Sequence, residues 1–204
     1  MNNPDWKNDD GAHFEKHASQ LLQGIYPWLL RDCLDIMHRD LAGAAILEIG
    51  CGPGFMLQQF STCSPTLLAG LDQSRSMLQL ALVASRATDA ILLQADACSL
   101  PFKEACFDAV FSRGSVFFWP DIPAACAGIK IALKTGGQAL IGGGYGLSTP
   151  DSVIAELRAR QSGHCKNDVP RLDPEKLCEI MRSFGGKASV HQANKRGFWV
   201  HWQL

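Results

Sequence analysis

Apolar and polar residues alternate in two patterns along this chain, one typical of buried strands and one typical of amphipathic helices. Short apolar runs bounded by turn residues predict strands, and stretches with apolar residues three or four positions apart predict helices. The predicted strands are Ala45 to Glu48, Leu67 to Leu71, Ile91 to Gln94, Phe107 to Phe111, Gln138 to Ile141, Lys187 to Gln192 and Gly197 to Gln203. The first five alternate with helical segments, which favours a parallel sheet covered by helices on both faces.

The last two predicted strands must pair differently. A four-residue connection, Ala-Asn-Lys-Arg, separates them. A connection this short permits an antiparallel pair only, because a parallel crossover needs a dozen or more residues. Asp173 and Pro174 start the helix before them, and Gly185 with Gly186 ends it. The sequence therefore predicts an α/β fold, a Rossmann-like, doubly wound, seven-stranded sheet with five parallel strands and an antiparallel terminal pair.

Helix caps and glycines set several boundaries inside this sheet region. Ser74 is expected to cap the helix after the second strand, and Asp121 to cap a helix that runs through Leu133. The Gly136-Gly137 pair is expected to form the turn that leads into the fifth strand.

A separate helical region precedes the sheet. Apolar positions from His13 to Arg39 have helical spacing, and Pro27 is expected to split or kink this region. We accordingly divide the chain into an N-terminal helical segment, residues 1–40, and a sheet domain, residues 41–204.

The end of the first strand carries the most informative segment, ILEIGCGPG, at residues 46–54. An apolar run leads to an acid, Glu48, and glycines follow at positions 50, 52 and 54 before a helical pattern starts at Phe55. Glycine permits positive φ and lets a ligand lie directly against the backbone. The first N–H groups of the following helix point at whatever fills the crevice. The segment therefore indicates a binding site for a nucleoside-type cofactor at the carboxyl end of a strand.

The glycine spacing separates two classes of cofactor. A dinucleotide fingerprint, G-x-G-x-x-G, starting at Gly50 would need a glycine where Phe55 stands. The acid at Glu48 would repel a pyrophosphate but suits the ammonium group of an amino acid. With its pattern E-x-G-x-G-x-G, the chain resembles the class I S-adenosylmethionine-dependent methyltransferases, in particular the small-molecule type. The resemblance extends over residues 40–204.

This resemblance implies that the cofactor is S-adenosylmethionine and that the product is S-adenosylhomocysteine. The residues expected to bind it are Glu48, Gly50, Cys51, Gly52, Gly54, Asp72, Gln73, Met77, Asp96, Ala97 and Arg113. Asp72 is expected to accept hydrogen bonds from the ribose hydroxyls. Asp96 is expected to accept one from the adenine amino group, while the N–H of Ala97 meets a ring nitrogen. Glu48 and the glycine turn are expected to face the methionine part.

Some of these residues also have structural interpretations that the sequence leaves open. Asp72 could cap a helix, and Asp96 could be an ordinary turn residue. Met77 could equally belong to the core. Cys51 has backbone and cofactor as its expected neighbours, so we do not expect a thiol nucleophile there.

The segment after the fourth strand, FSRGSVFFWPD, concerns the acceptor. It lacks the Asx/Ser-Pro-Pro-aromatic motif that the family's nucleobase amino-group methylases carry at this point. Arg113 and Ser115 are expected to line the methyl-transfer pocket, and the aromatic run at 117–119 is interpreted as core. Residues 1–40, expected to cover the cofactor site, and the stretch from Gly142 to Gln161 are the expected substrate elements.

The sequence does not provide a convincing catalytic base. His164, His191 and His201 are interpreted as packing or surface histidines. Cys165 stands beside His164, but the convergent cysteines of arsenite methylation are missing.

Metal chemistry is not expected either. The eight cysteines are scattered and form no C-x-x-C pair, so we predict free thiols. The HFEKH segment spaces two histidines as in a zinc helix, but Phe14 stands where the zincin motif needs Glu.

Composition limits the partners. With 47% hydrophobic and 19% charged residues, the chain is typical of a globular domain. Its net charge of -1 gives no general attraction to nucleic acid. The start of the chain lacks a signal-peptide pattern, and no apolar run reaches transmembrane length. We expect a cytoplasmic monomer or homodimer that acts on a small molecule, with neither nucleic acid nor membrane as a partner.

Three functions from different classes follow from these observations. The first is a methyltransferase with a small-molecule acceptor. The second is a protein that binds S-adenosylmethionine without catalysis. The third is an NAD-dependent oxidoreductase, which Phe55, Glu48 and the lack of a second catalytic domain disfavour.

Overall fold

A seven-stranded sheet organises residues 23–86, 88–161 and 170–204, the parts of the chain that the computed structural model describes. Its strands are β1 (Ala45–Ile49), β2 (Leu67–Asp72), β3 (Ile91–Gln94), β4 (Phe107–Arg113), β5 (Leu133–Gly144), β6 (Lys187–Ala193) and β7 (Gly197–Gln203). The α-helices are α1 (Tyr26–Met37), α2 (Phe55–Ser61), α3 (Arg75–Ala84), α4 (Ile122–Ala132), α5 (Asp151–Gln161) and α6 (Pro174–Ser183). Single 3₁₀ turns lie at Gln23–Ile25 and Val116–Phe118.

The strand order is β3-β2-β1-β4-β5-β7-β6. Strands β1 to β5 pair in parallel, whereas β7 lies antiparallel to both β5 and β6. This arrangement confirms the predicted doubly wound sheet with its antiparallel terminal pair. The strand order reverses between β1 and β4, and in open α/β sheets ligands bind in the crevice at such a switch point.

The boundary between α4 and β5 differs from the prediction. The helix ends at Ala132, and Leu133 already pairs with Phe107 of β4. The pairing register then shifts before Gln138, and Gly136 within this irregularity has a φ of 75°. The helix therefore ends one residue before the predicted end, and the two glycines lie in an irregular part of one longer strand, after its first pairing with β4 and not ahead of the strand.

Helix α1 also begins differently from the prediction. A 3₁₀ turn ends at Ile25, and Pro27 lies in the first turn of α1. Proline is well placed there because the first N–H groups of a helix have no partner inside it. Pro27 therefore starts this helix and does not kink it. The part of the predicted helix between His13 and residue 22 lies outside the described residues.

Two apolar clusters fill the two faces of the sheet. One lies under α4 and α6 and contains Ile129, Cys178 and Trp202. The other lies under α1, α2 and α5 and contains Leu29, Phe60 and Trp199. Because helices cover both faces, all five residues of β1 are buried, and its carboxyl end opens directly into the crevice.

Among the helices of the described residues, none combines the length and the apolar character that a membrane crossing requires.

Candidate cofactor-binding site

The glycine turn after β1 is folded back onto the end of β2. The backbone N–H groups of Gly50 and Cys51 both donate to the carbonyl oxygen of Leu71, at 2.7 and 3.0 Å. Gly50, Gly52 and Gly54 have φ angles of 71°, 51° and 82°, a region that L side chains rarely adopt. The turn therefore needs glycine at these positions.

The surroundings of the three glycines differ. A Cβ atom on Gly50 would lie 2.2 Å from Cβ of Ser115, and one on Gly54 would lie 3.1 Å from Cβ of Ala81 in α3. A Cβ atom on Gly52 would meet nothing within 4 Å. Gly50 and Gly54 thus allow close packing, whereas Gly52 presents bare backbone to an open space that a ligand can occupy.

Asp72 ends β2 and contacts this turn. Its Oδ2 accepts a hydrogen bond from the N–H of Gly52 at 2.9 Å, and its Oδ1 accepts one from the N–H of Ser74 at 2.9 Å. Ser74, and not Asp72, is the N-cap of α3, because the Ser74 hydroxyl accepts from the N–H of Met77. Burial raises the pKa of Asp72 despite these amides. A carboxylate has about four acceptor positions, so two remain for a ligand.

The expected adenine end lies at the carboxyl ends of β2 and β3. Gln73, Gln94, Ala95 and Asp96 line a depression of about 360 Å³ there. Oδ1 of Asp96 accepts from the N–H of Cys98 at 2.9 Å, which is the geometry of a turn residue. One acceptor position of the carboxylate is used in this way, and Ala97 follows directly in the same loop. The structure thus brings Gln73 and Asp96 together, although 23 positions separate them in the sequence.

Two of the predicted site residues have their side chains in the interior. Met77 is 3% exposed and Cys51 is 5% exposed. A Cβ atom on Gly70 would lie 3.1 Å from Sγ of Cys51, so this thiol packs against β2. Burial, followed by the neighbouring Glu48 and Asp72 carboxylates, raises the pKa of Cys51 well above its ordinary value. The thiol is therefore in its neutral form at neutral pH, as expected for a residue that is not a nucleophile.

Glu48 is the most unusual group of the site. Its side chain lies in β1 and is 4% exposed, and within the described residues its Oε2 atom has no hydrogen-bond partner. Burial raises the pKa of Glu48 well above its ordinary value, nearby Asp72 adds to the increase, and Arg113 opposes it. A buried carboxylate oxygen without a donor is costly, and a bound cationic donor would remove that cost.

Arg113 lies at the end of β4, between two other elements. Its Nε and Nη2 atoms donate to the carbonyl oxygen of Gly144 at 3.0 and 2.8 Å. Its guanidinium also lies over the ring of Tyr26, 5.8 Å from the ring centroid, which is within cation–π distance. The Tyr26 ring in turn contacts Phe55, with 5.5 Å between ring centroids. Tyr26 and Arg113 thus lie beside the crevice into which Glu48 and Gly52 open.

Comparison with known proteins agrees with this geometry. Residues 47–141, which include the glycine turn, Asp72, Asp96 and Arg113, match the family model described as a methyltransferase domain. Over these residues the chain is similar to the class I S-adenosylmethionine-dependent methyltransferases.

Individual relatives show the same similarity. It is 34% identical to the methyltransferase YdaC of Bacillus subtilis over 100 residues, which are 48% of this chain and 55% of that protein. The chain spans about half the length of the curated relatives it matches first.

Solved structures support the fold over a larger share of the chain. A methyltransferase from Methanococcus maripaludis superimposes with a TM-score of 0.77 at 24% identity, covering 99% of this chain and 95% of that one. A phosphoethanolamine N-methyltransferase from Haemonchus contortus, solved with phosphomonomethylethanolamine and S-adenosylhomocysteine, gives a TM-score of 0.60 at 27% identity. That match covers 79% of this chain and 38% of the other.

The residues of this site fit S-adenosylmethionine, the cofactor of these methyltransferases. The open face of Gly52 offers bare backbone, and Asp72 and Asp96 keep acceptor positions. The buried Oε2 atom of Glu48 lacks the donor that an ammonium group would supply.

The sequence did not reveal Asp32 of α1. It is 1% exposed and accepts three hydrogen bonds, from the N–H groups of Leu147 and Ser148 and from Nε1 of Trp199. One signal was present, because position 32 lies three residues after Leu29 and so falls on the apolar side of α1. An acid on that side indicates a buried polar contact, but the sequence does not identify the partner.

The remaining candidates near β4 have structural contacts. The hydroxyl of Ser115 lies 3.1 Å from the carbonyl oxygen of Ile49 and 2.7 Å from the hydroxyl of Ser112, and it also accepts from Nε1 of Trp119. Phe117 packs edge-on against Phe198, with 5.9 Å between ring centroids. The interpretation of the aromatic run as core therefore agrees with the contacts of Phe117 and Trp119.

Two of the three candidate bases, His191 and His201, lie away from the crevice. His191 contacts Ser189 on β6, and His201 contacts Gln138 across β5 and β7, so both occupy the antiparallel end of the sheet. His164 and Cys165 lie outside the described residues. Within the described residues, no cluster of three or more His, Cys, Asp or Glu side chains could hold a metal ion.

Proposed function

We propose that this protein moves a methyl group from S-adenosylmethionine to a small-molecule acceptor. One observation carries the proposal, namely that the buried Glu48 carboxyl has an oxygen without a hydrogen-bond partner among the described residues, just before the glycine turn in which Gly52 has open surroundings. Glu48 can pair with the ammonium group of an amino acid, and the exposed backbone of Gly52 leaves room for the ligand to pack against it. A dinucleotide would bring its anionic pyrophosphate to this turn, where the acid Glu48 disfavours it, and Phe55 stands where the dinucleotide fingerprint needs glycine.

The rest of the cofactor would extend from this point toward β3. Asp72 would accept from the ribose hydroxyls with the acceptor positions that Gly52 and Ser74 leave open. Asp96 and the N–H of Ala97 would meet the adenine edge beside the depression that Gln73 lines. The order of these residues along β1, β2 and β3 matches the order of methionine, ribose and adenine in the cofactor.

The small-molecule acceptor is inferred from the surroundings of the crevice. The crevice is narrowed by the side chains of Tyr26, Phe55 and Arg113, of which Tyr26 contacts the other two. The net charge of -1 gives the chain no general attraction to a nucleic-acid phosphate backbone. The structural neighbour from Haemonchus contortus was solved with a small phosphorylated amine. That likeness supports a small acceptor here without identifying it.

The protein has a limited chemical task in this reaction. The sulfonium of the cofactor supplies an already activated methyl group. The residues around the crevice need to align the acceptor with that methyl group and exclude water. Burial raises the pKa of Tyr26, so its phenol stays protonated at neutral pH and can donate a hydrogen bond but cannot act as the base. An acceptor that is already nucleophilic fits this site best.

Two measurements test the proposal. S-adenosylhomocysteine at about 100 times its dissociation constant should raise the unfolding free energy by roughly 2.7 kcal/mol, whereas NAD should not raise it. Labelled S-adenosylmethionine should then transfer its methyl group to a component of a small-metabolite extract. Stabilisation by NAD alone would overturn the cofactor assignment. Binding without transfer to any metabolite would favour a protein that only binds the cofactor.

A further inference from the structure

Asp32 connects three parts of the molecule that are far apart in the sequence. Its Oδ2 atom accepts from the N–H of Leu147 at 2.6 Å and from Nε1 of Trp199 at 2.8 Å, and its Oδ1 atom accepts from the N–H of Ser148 at 2.8 Å. Hydrogen bonds to a buried carboxylate are among the strongest in proteins. Asp32 therefore fixes α1 against the loop after β5 and against β7.

The loop that Asp32 holds starts at the site. Gly144, the last residue of β5, directly precedes this loop, and its carbonyl oxygen accepts from Nε and Nη2 of Arg113. A Cβ atom on Gly146 would lie 2.7 Å from Cδ2 of Leu29 and 3.1 Å from Oδ2 of Asp32, so α1 and the loop touch without a gap. A displacement of α1 would therefore move the loop, and with it the carbonyl group that orients Arg113.

The amino end of α1 also reaches the site. Tyr26 is the first residue of α1 and precedes Asp32 by six positions, which is about 9 Å along a helix axis. The guanidinium of Arg113 lies over the Tyr26 ring, 5.8 Å from the ring centroid. Arg113 thus contacts two groups, and Asp32 joins α1, which carries Tyr26, to the loop that directly follows Gly144.

We infer that Asp32 is the positioning residue for the methionine end of the cofactor site. By fixing α1 to residues 145–149, it keeps the Tyr26 ring against Arg113, whose Nε and Nη2 donate to the Gly144 carbonyl next to that loop. Asp32 acts through these groups and does not itself touch the cofactor. The inference rests on the proposed function, since it concerns the same site.

The nucleoside end does not depend on these contacts. Asp72 is held by the N–H groups of Gly52 and Ser74, and Asp96 by that of Cys98. A loss of Asp32 should therefore separate two ligands that differ only at the methionine end. S-adenosylhomocysteine carries the amino acid part, and 5′-methylthioadenosine lacks it.

The experiment is calorimetric binding of both ligands to the wild type and to Asp32→Asn. An amide side chain has one acceptor oxygen, so it leaves part of the three-donor contact unpaired. We expect the affinity for S-adenosylhomocysteine to fall about tenfold or more, while that for 5′-methylthioadenosine changes by less than about twofold. An equal loss for both ligands, or no loss for either, would overturn the inference.

A matched control is Asp108→Asn. Asp108 also accepts three hydrogen bonds, from Arg39, Lys134 and the N–H of Ala45, but it lies at the amino end of β4, away from the crevice. This variant should lose thermal stability and keep the wild-type ratio of the two affinities. A changed ratio in this variant would show that general destabilisation produces the effect and would also overturn the inference.

A second variant is independent of the buried network. Tyr26→Ala removes the ring that α1 brings to Arg113 without changing Asp32. It should reproduce the selective loss of S-adenosylhomocysteine binding even if Asp32→Asn does not fold, and an unchanged affinity ratio would refute the positioning role. If the wild type itself fails to bind S-adenosylhomocysteine, the proposed function fails and the inference with it. Wild-type binding with unchanged ratios in both variants overturns the inference alone.

Discussion

The N–H of Gly52 donates to Oδ2 of Asp72 at 2.9 Å, which joins the glycine turn after β1 directly to the acid that ends β2. The same carboxylate accepts the N–H of Ser74 at the start of α3. Asp72 therefore holds the turn in shape while it keeps acceptor positions for a ligand. A substitution at this position should change both the shape of the turn and the affinity for the ligand.

The first prediction concerns this double role. Asp72→Ala should weaken S-adenosylhomocysteine binding by about 1.5–3 kcal/mol, the range for hydrogen bonds to a charged group. It should also lower the unfolding free energy by about 1–3 kcal/mol for each amide that loses its acceptor. Calorimetry and urea unfolding measure the two effects. Ser74→Ala is the control, since losing the cap of α3 should cost about 1 kcal/mol of stability and leave the affinity unchanged.

A second prediction separates strain from obstruction at Gly52. Gly52→Val should strain the turn by about 1–3 kcal/mol, because its φ of 51° is unfavourable for a side chain. It should also abolish cofactor binding in the folded protein, because the side chain fills the open space above the backbone. Gly43→Val offers the same comparison away from the site, with a φ of 70° and equally open surroundings. The Gly43→Val variant should be destabilised and should still bind the cofactor. If Gly52→Val binds the cofactor with wild-type affinity, the turn has a structural role only.

The third prediction is a proton linked to cofactor binding. Because burial raises the pKa of Glu48, a cationic group beside it should favour the carboxylate form and release a proton. The affinity for S-adenosylhomocysteine should accordingly rise with pH through the raised pKa. Calorimetry in two buffers of different ionisation enthalpy, over the pH range in which the affinity rises, should give different apparent enthalpies in the wild type and equal ones in Glu48→Gln. Equal enthalpies in the wild type would contradict this role of Glu48.

The same shift predicts how the stability of the ligand-free protein depends on pH. Above the ordinary Glu pKa of 4.5, the unfolded chain releases the Glu48 proton while the folded chain retains it. The contribution of Glu48 to stability is therefore complete below pH 4.5 and is lost as the pH rises through the raised folded pKa. Thermal unfolding across this range should show a shallower decline for Glu48→Gln, and identical slopes would argue against the shift.

A fourth prediction concerns Cys51, whose thiol is buried against β2. Alkylation of the native protein at pH 8 should modify the partly exposed Cys63, Cys98 and Cys106 before Cys51, as mass spectrometry of peptides would show. Cys51→Ala should bind S-adenosylhomocysteine within about twofold of the wild-type affinity. Rapid native modification of Cys51, or loss of binding in this variant, would indicate that the thiol faces the crevice.

Local sequence patterns predicted the bounds of a strand correctly where residues adjacent in the sequence determine those bounds. The bounds of β3 and β7 agree with the prediction because apolar runs and flanking turn residues mark both strands. The predicted start of β5 was wrong because the two glycines resemble a turn that precedes a strand. Only the pairing of Leu133 with Phe107 shows that they lie inside the strand. Sheet pairing of this kind depends on distant partners that a local pattern does not contain.

In the candidate site too, local features could be predicted from the sequence and contacts between distant residues could not. The pattern around Glu48 and Gly52 identified the crevice, because backbone freedom and charge are properties of the residues themselves. It did not explain why Gly50 and Gly54 are needed, since those reasons are Ser115 and Ala81. Asp32 was missed because its partners, Leu147 and Trp199, lie more than 100 positions away.

The interior position of β7 also constrains the order in which the sheet can be assembled. β7 follows β6 in the chain but lies between β5 and β6, so strands cannot be added to the sheet in the order of synthesis. Until residues 197–203 are present, β5 keeps an unpaired edge and Asp32 lacks Trp199. A bare edge of this kind invites pairing with other chains. An interrupted polypeptide should therefore aggregate, and the crevice should acquire its final shape only after β7 has been inserted.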